Sequence, residues 1–381
     1  MNILFLLFTP RYSGAEIVIK NLIENDDKIN SFVLCSPGYF LNGLKNCQEI
    51  YYSKYIRKLR RDKNSVVKNS ILILSNVIGL NFIVINIIKK HKINRVHINN
   101  ISLAAYLLPL AFIYPLIKGN TKFSWHDQNL SYFNKHYEQY LYNLCCLVYE
   151  KTIVVSDAVK SKYRNDQKIK LVYSGIDVKK FSYNESCSMA ISQELGINNK
   201  IVIGYFGTLS KEKGIDFLIN SFLDLKKIYN NLYLLIIGNF NDSNSDKNEI
   251  SKLLYSLKNT EYALLSWKED IEKFYCIIDI LVNTTTAKLS EPLGTTILEA
   301  MSCNRLVLAS NTGGTAEIIS DGINGFLYVP EDKNSFIVKM SYLIDNYKKL
   351  NKIRNNARMR IVNNFNIEKM VTEFNETIGL Q

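Results

Sequence analysis

The chain has 381 residues, 47% of them hydrophobic and 22% charged, with a formal net charge of +12. This length suits two domains better than one core, and the composition excludes a disordered or fibrous chain. No C-x-x-C pair or His/Cys cluster has the spacing of a zinc site, and seven Cys, of which only Cys145 and Cys146 are close together, fit reduced thiols in a cytoplasm.

In chain order, the apolar run 1–8 has neither a basic leader nor a small-residue cleavage site, so it reads as a first β-strand (2–8) and not as a signal peptide. Further short apolar strands are predicted at 31–35, 94–98, 121–125, 152–155 and 170–173. Between the strands at 31–35 and 94–98, Lys54, Arg57, Lys58, Arg60 and Arg61 are interleaved with Tyr, Ile and Leu. Such a stretch suits a membrane interface, and equally a solvated basic face. Residues 69–88 carry no charge and could nominally span a bilayer, but Asn and Ser interrupt them. The favoured reading is a helix, or a helix pair, packed on a sheet.

A polar stretch, 184–199, is the expected linker. A second round of strands follows at 201–206, 233–238, 263–266, 278–283 and 306–310, and residues 336–381 read as helical. Strands alternating with helices predict two α/β domains with parallel sheets, whose ligands bind at the carboxyl ends of the strands. The charge is lopsided. Residues 1–180 hold 26 Lys+Arg against 12 Asp+Glu (+14), and the remainder holds 21 against 23 (−2). The first half therefore meets something anionic. With no nucleic-acid-binding motif present, an anionic membrane surface is expected and nucleic acid is not.

The chemistry concentrates in the second half. Glu291 and Glu299 stand eight positions apart, with Leu293, Gly294 and Thr295 between them, where an apolar strand gives way to a helix. A helix N-terminus attracts an anion, and a carboxylate on either side can grip hydroxyls. A phosphate group flanked by two sets of hydroxyls describes a nucleotide sugar. Upstream, Gly207, Thr208 and Lys213 form a glycine turn and a cation after a strand, and downstream come Gly313-Gly314 with Glu317 and a turn through Asp321, Gly322, Gly325 and Phe326. Each fragment alone has an ordinary reading: a surface carboxylate, a solvated lysine, a tight turn.

In this order the blocks resemble the C-terminal domain of retaining family-4 glycosyltransferases of the GT-B fold, over most of residues 200–330. The first half is similar more loosely. Ser13-Gly14-Ala15-Glu16 resembles the family's Gly-Gly-Ala-Glu loop, Trp125-His126-Asp127 its His-Asp step, and the Ser174-Gly175-Ile176-Asp177 segment with Phe181 the close of its first domain. The resemblance implies two Rossmann-like parallel-sheet domains facing a central cleft. The first, 1–183, faces acceptor and membrane, with a C-terminal helix at about 365–381 packing back on it. The second, 184–364, binds the nucleotide sugar.

It further implies that Lys213 and N–H groups near Gly14, Gly294 and Thr295 hold the diphosphate, Glu291 the donor-sugar hydroxyls and Glu299 the ribose hydroxyls, with His126 at the donor sugar. Retention at the anomeric carbon is implied, with no dedicated nucleophile, no metal and no cofactor. A uridine-diphosphate sugar is the first expected donor and guanosine-diphosphate mannose the second. The expected acceptor is a lipid-linked or cell-surface glycan, as in bacterial polysaccharide or lipopolysaccharide assembly at the inner face of the cell membrane. A soluble synthase acting on free sugars and a catalytically silent subunit are the alternatives. Thr208 stands where the family often has an Arg that pairs the diphosphate, which favours the silent reading, and Ser13 replaces the loop's first Gly.

Overall fold

The computed structural model describes residues 1–8, 14–37, 44–56, 66–118, 120–130, 136–163, 167–240 and 244–380. It divides into two compact units, Met1–Gly175 with Ile367–Gln381, and Ile176–Asn366.

Unit 1 runs β1 (Asn2–Leu7), α1 (Gly14–Glu24), β2 (Asn30–Cys35), β3 (Cys47–Tyr52), α2 (Val66–His91), β4 (Arg95–Asn99), α3 (Ile101–Lys118), β5 (Lys122–Asp127), α4 (His136–Val148), β6 (Lys151–Val154), α5 (Asp157–Lys160) and β7 (Ile169–Leu171). Its strands form one parallel sheet in the order β3-β2-β1-β4-β5-β6-β7. Apolar residues are buried on both faces of the sheet. Leu4, Leu6, Val96, Ile98 and Trp125 pack under α2, α3 and α4 on one face, and Ile3, Phe5 and Leu7 pack under α1 on the other.

Unit 2 runs α6 (Glu185–Glu194), β8 (Ile201–Phe206), α7 (Ile215–Lys226), β9 (Leu232–Ile237), α8 (Asn244–Leu254), β10 (Tyr262–Leu265), α9 (Ile271–Tyr275), β11 (Ile280–Asn283), α10 (Thr295–Ser302), β12 (Leu306–Ser310), α11 (Thr315–Ile318), β13 (Phe326–Tyr328), α12 (Lys333–Asn346) and α13 (Asn351–Asn364). Its parallel sheet has the order β10-β9-β8-β11-β12-β13. The last helix, α14 (Ile367–Ile378), belongs to unit 1. It carries Ile367, Met370, Phe374 and Ile378 on one stripe and buries them against Ile19 and Ile23 of α1 and against Phe5.

The structure departs from the sequence reading in three places. Residues 47–52, including Tyr51 and Tyr52 of the basic stretch, form β3, a strand absent from the expected set. It is an edge strand with only partly buried side chains, so its polar and apolar residues mix. The expected linker 184–199 contains α6, capped by the Asn184 side chain on Cys187 N and tied to unit 2 by Ser188 Oγ donating to Cys276 O at 2.9 Å. The units accordingly divide at Gly175/Ile176, where 183/184 was expected. Residues 69–88 agree with the favoured reading: they lie within one continuous helix, α2, whose inner side packs Leu80, Val84, Ile87 and Ile88 on the sheet.

Candidate functional site

In unit 2 the site is built at the carboxyl ends of β8 and β11. β11 ends at Asn283, and the chain continues through Thr284 and Thr285 to Glu291. Lys213 Nζ at 2.8 Å, Thr285 Oγ1 at 2.9 Å and Asn283 Nδ2 at 3.4 Å all donate to a single oxygen, Glu291 Oε2. The other oxygen, Oε1, takes none of the three. Burial raises the acid's pKa, but the Lys213 charge and these hydrogen bonds outweigh it, so the carboxyl is held below its ordinary value. Glu291 is therefore an anion with one oxygen fixed in place.

Lys213 is itself positioned. It closes a 3-10 turn, Lys211–Lys213, whose N-cap Ser210 accepts from Lys213 N, and Thr284 Oγ1 donates to Lys213 O at 2.9 Å. Gly207 directly follows β8, with its N–H on Ile237 O, and Thr208 is exposed.

Gly294 begins α10 in the left-handed region, at φ 100°. A Cβ there would lie 2.9 Å from Ile297 and 3.3 Å from Glu291 Cγ, so only glycine brings the chain from Glu291 into the helix. No side chain caps this N-terminus. Leu293 is buried, and Thr295 is the first helical residue. The Gly313-Gly314 block acts from behind. Gly314 N donates to Glu291 O at 2.8 Å, and a Cβ at Gly314 would lie 2.3 Å from Pro292 O. The two glycine segments thus fix the Glu291–Leu293 loop from both sides.

Glu299, in the second turn of α10, does not join the Lys213–Glu291 cluster. Its Oε2 accepts from Tyr275 OH at 2.6 Å. Burial pushes its pKa up to about 7, partly offset by that hydrogen bond. The Tyr275 ring meets Phe206 edge-on at 4.7 Å and Phe181 at 5.8 Å. Asn283, Thr285 and Tyr275 escaped the sequence reading. An Asn-Thr-Thr run directly after an apolar strand was the available signal for the first two, whereas nothing local marked Tyr275.

In unit 1, Gly14 opens α1, and Ala15 O accepts from Asn99 Nδ2 and Gln128 Nε2, each at 3.2 Å. This fastens the start of α1 to the carboxyl ends of β4 and β5. Glu16 is buried in the first turn of α1. His126, near the end of β5, is buried with neither ring nitrogen hydrogen-bonded and meets His97 edge-on at 5.6 Å. Burial depresses its pKa to about 3, so it is neutral. Its neighbour Asp127 is fully engaged, by Lys162 Nζ at 2.5 Å and Tyr163 OH at 2.6 Å. Lys54 is exposed; Arg57, Lys58, Arg60, Arg61 and Ser13 lie outside the described residues. A hollow at the opposite end of this sheet, lined by Met1, Asn94, Arg95, Asn120, Lys122, Ile378 and Gly379, contains none of these side chains.

An archaeal protein of Methanocaldococcus jannaschii, "Uncharacterized glycosyltransferase MJ1069", is 29% identical over 288 residues, 70% of each chain. The alpha-monoglucosyldiacylglycerol synthase of Acholeplasma laidlawii is 26% identical over 338 residues, covering 86% of this chain and 79% of its own. Among solved structures, Anabaena HepE in complex with UDP and glucose superposes with a TM-score of 0.83 at 21% identity over 99% of both chains, which shows the fold to be of the GT-B type. Residues 188–360 match the family described as "Glycosyl transferases group 1".

Proposed function

We propose that the chain is a retaining, metal-independent glycosyltransferase that moves a sugar from a nucleotide-sugar donor, a uridine-diphosphate sugar first, to a lipid-linked glycan or glycolipid acceptor at the inner face of the cell membrane. The observation that carries this reading is the fixed Glu291 carboxylate. Lys213 is its direct partner, and the uncapped, glycine-opened α10 starts four residues later. Breaking the bond between C1 and the diphosphate builds negative charge on the leaving group and positive charge on the ring. Lys213 and the N–H groups at Gly294 and Thr295 suit the first, and the Glu291 anion suits the hydroxyls of an electron-poor sugar. Glu299 is assigned the ribose hydroxyls.

With Thr208 uncharged, Lys213 and the helix N-terminus carry the diphosphate in unit 2. In unit 1, Gly14 and the neutral His126 are residues that transfer requires. His126 is suited to accept or donate one hydrogen bond without adding charge. Retention, metal independence and the absence of a cofactor belong to the same proposal. A lipid acceptor is supported by the Acholeplasma relative, whose name makes a glucosylated diacylglycerol its product. The fold's likeness to a protein solved with UDP and glucose makes UDP-glucose the first donor to test.

The test is thermal stabilisation of the purified chain by a panel of nucleotide sugars, followed by transfer to diacylglycerol and polyprenyl-linked acceptors without added metal. Stabilisation by one donor and turnover that survives a chelator are expected. Donor binding without turnover on any acceptor would leave the silent-subunit alternative, and no donor binding at all would reject the reading.

A further inference from the structure

The outer side of one helical layer in unit 1 is apolar where water should face it. α2, α3 and α4 cover the same face of the sheet, and each buries an inner stripe in the same core. A helix packed this way normally turns a polar face outward. Here α2 presents Ile71, Leu74, Ile78 and Phe82, three and four residues apart and therefore on one side. α3 presents Phe112, Ile113, Leu116 and Ile117, and α4 presents Tyr140, Leu144 and Leu147. These are fully offered side chains: Phe82 is 65% exposed, Leu116 75% and Leu147 71%. Soluble proteins rarely show such groups together unless they cover something.

The charges identify the occupant. Across α2 and α3 there is no Asp or Glu, and α2 carries its basic residues at its ends: Lys68 at the start, and Lys89 and Lys90 at the end, Lys90 paired with Glu49 of β3. Lys54 adds a cation on the flank of α2. It lies over the Tyr55 ring, and Tyr55 packs across Gly79, one residue from Ile78. Unit 1 as a whole holds 25 Lys+Arg against 14 Asp+Glu, a net of +11, whereas unit 2 holds 22 against 21, a net of +1. A second copy of this face would oppose cations to cations. An anionic lipid surface complements both features, with acyl chains against the apolar side chains and headgroups against the lysines.

We propose that the outer side of the α2–α3–α4 layer inserts into the headgroup–acyl boundary of an anionic phospholipid bilayer and that this face, more than the basic stretch at 54–61, holds the protein there. The inference rests on the membrane-facing part of the proposed function and gives it a surface. α2 contains a stretch, Lys68–His91, that is long and apolar enough to cross a bilayer by length and composition alone. Its inner side, however, is committed: Leu80, Val84, Ile87 and Ile88 are in the core, and Asn81 Nδ2 donates to Val77 O and Tyr106 O. The helix therefore lies on the bilayer and does not span it.

Flotation of the full chain with vesicles of phosphatidylcholine, or of phosphatidylcholine with phosphatidylglycerol, tests this. The parent should float with the anionic vesicles and stay bound in high salt, because part of its hold is apolar. The triple variant Leu74→Ser/Ile78→Ser/Phe82→Ser changes only exposed side chains, so it should keep its melting temperature and its response to nucleotide sugar. Its bound fraction should fall roughly tenfold. Lys54→Ala/Lys68→Ala should lose mainly the preference for anionic lipid. A folded triple variant that floats like the parent would overturn the proposal. So would a parent that ignores vesicles and sediments as a dimer, with the triple variant monomeric. Donor-induced stabilisation is read separately, so failure of the surface and failure of the transferase reading are told apart.

Discussion

The two units share an architecture and differ in where they spend polarity. Both are parallel sheets whose central strands are buried on both faces. Unit 2 concentrates polar groups at its strand ends: Lys213, Asn283, Thr285 and Glu291 meet on one oxygen atom, and Ser310 Oγ donates to Thr285 O behind them. Its exposed large apolar residues are scattered, for example Ile228, Tyr255, Leu264 and Met359. Unit 1 does the reverse. Its outer helical layer is apolar, and Arg95, His97, His126 and Asp127 of β4 and β5 are sealed inside. On the proposed readings, the contrast teaches that one fold can be specialised at different places: the ends of the strands for a charged small molecule, the backs of the helices for a surface.

The largest expected effect strikes the polar end of this contrast. Glu291→Gln keeps the shape but removes the anion, and it replaces an oxygen that accepts from Lys213 by a group of no charge. Turnover should fall ~10²–10³-fold in kcat, with the melting temperature little changed. Turnover retained within a few-fold would break the assignment of the site to unit 2. Lys213→Met comes next. It leaves a largely buried carboxylate without its cation, since the side chains are 29% and 12% exposed. A fully buried pair broken this way costs roughly 3–5 kcal/mol, and this partly open one about 1–3 kcal/mol because Thr285 and Asn283 still donate. Denaturant titration reads that loss, and calorimetry with nucleotide sugar should show weakened binding in the same variant.

The strands of both units were legible because a strand buried on both faces must be apolar throughout, and Ile201–Phe206 and Leu232–Ile237 are. β3 was not, since an edge strand with half-open side chains carries Gln48 and Glu49 among its apolar residues. α6 was hidden for the opposite reason: it buries nothing, so no apolar stripe marks it. In the site, Glu291, Gly294 and Lys213 were legible from types and spacing. Tyr275 and Ser310 were not, because they reach the site only through tertiary packing, from elements whose own patterns spell nothing but helix and strand.

The units should also answer acid in opposite senses. Burial holds His126 at about 3 and His97 well below its usual value, so the unfolded chain binds more protons than unit 1 below about pH 6.5. That contribution to stability is present above the unfolded histidine value and is lost as pH falls. Glu299 in unit 2 has a raised value, about 7 against 4.5 unfolded. Between these values the folded unit binds the extra proton, so acidification from about pH 7 to about pH 4.5 favours it. Hydrogen-exchange protection factors should therefore drop first in the β4 and β5 peptides of unit 1 while β8 and β11 hold. Equal losses in both units would show that these buried groups do not govern the pH response.

The smallest effect is the sharpest test of how Glu299 is tuned. Its carboxylate is proposed to accept ribose hydroxyls, and the neutral acid should accept them less well. Donor affinity should then weaken as pH falls through about 7. Tyr275 OH donates to Glu299 Oε2 at 2.6 Å, and a hydrogen bond to the charged form favours that form. Tyr275→Phe removes the donor while keeping the ring against Phe206 and Phe181, so the anion is less favoured and the inflection of donor affinity should move to higher pH. At a pH well above the new inflection the variant should bind donor nearly as the parent does. A merely structural role for Tyr275 predicts weaker binding at every pH with the inflection unmoved, and fluorescence titration of the donor across pH separates the two.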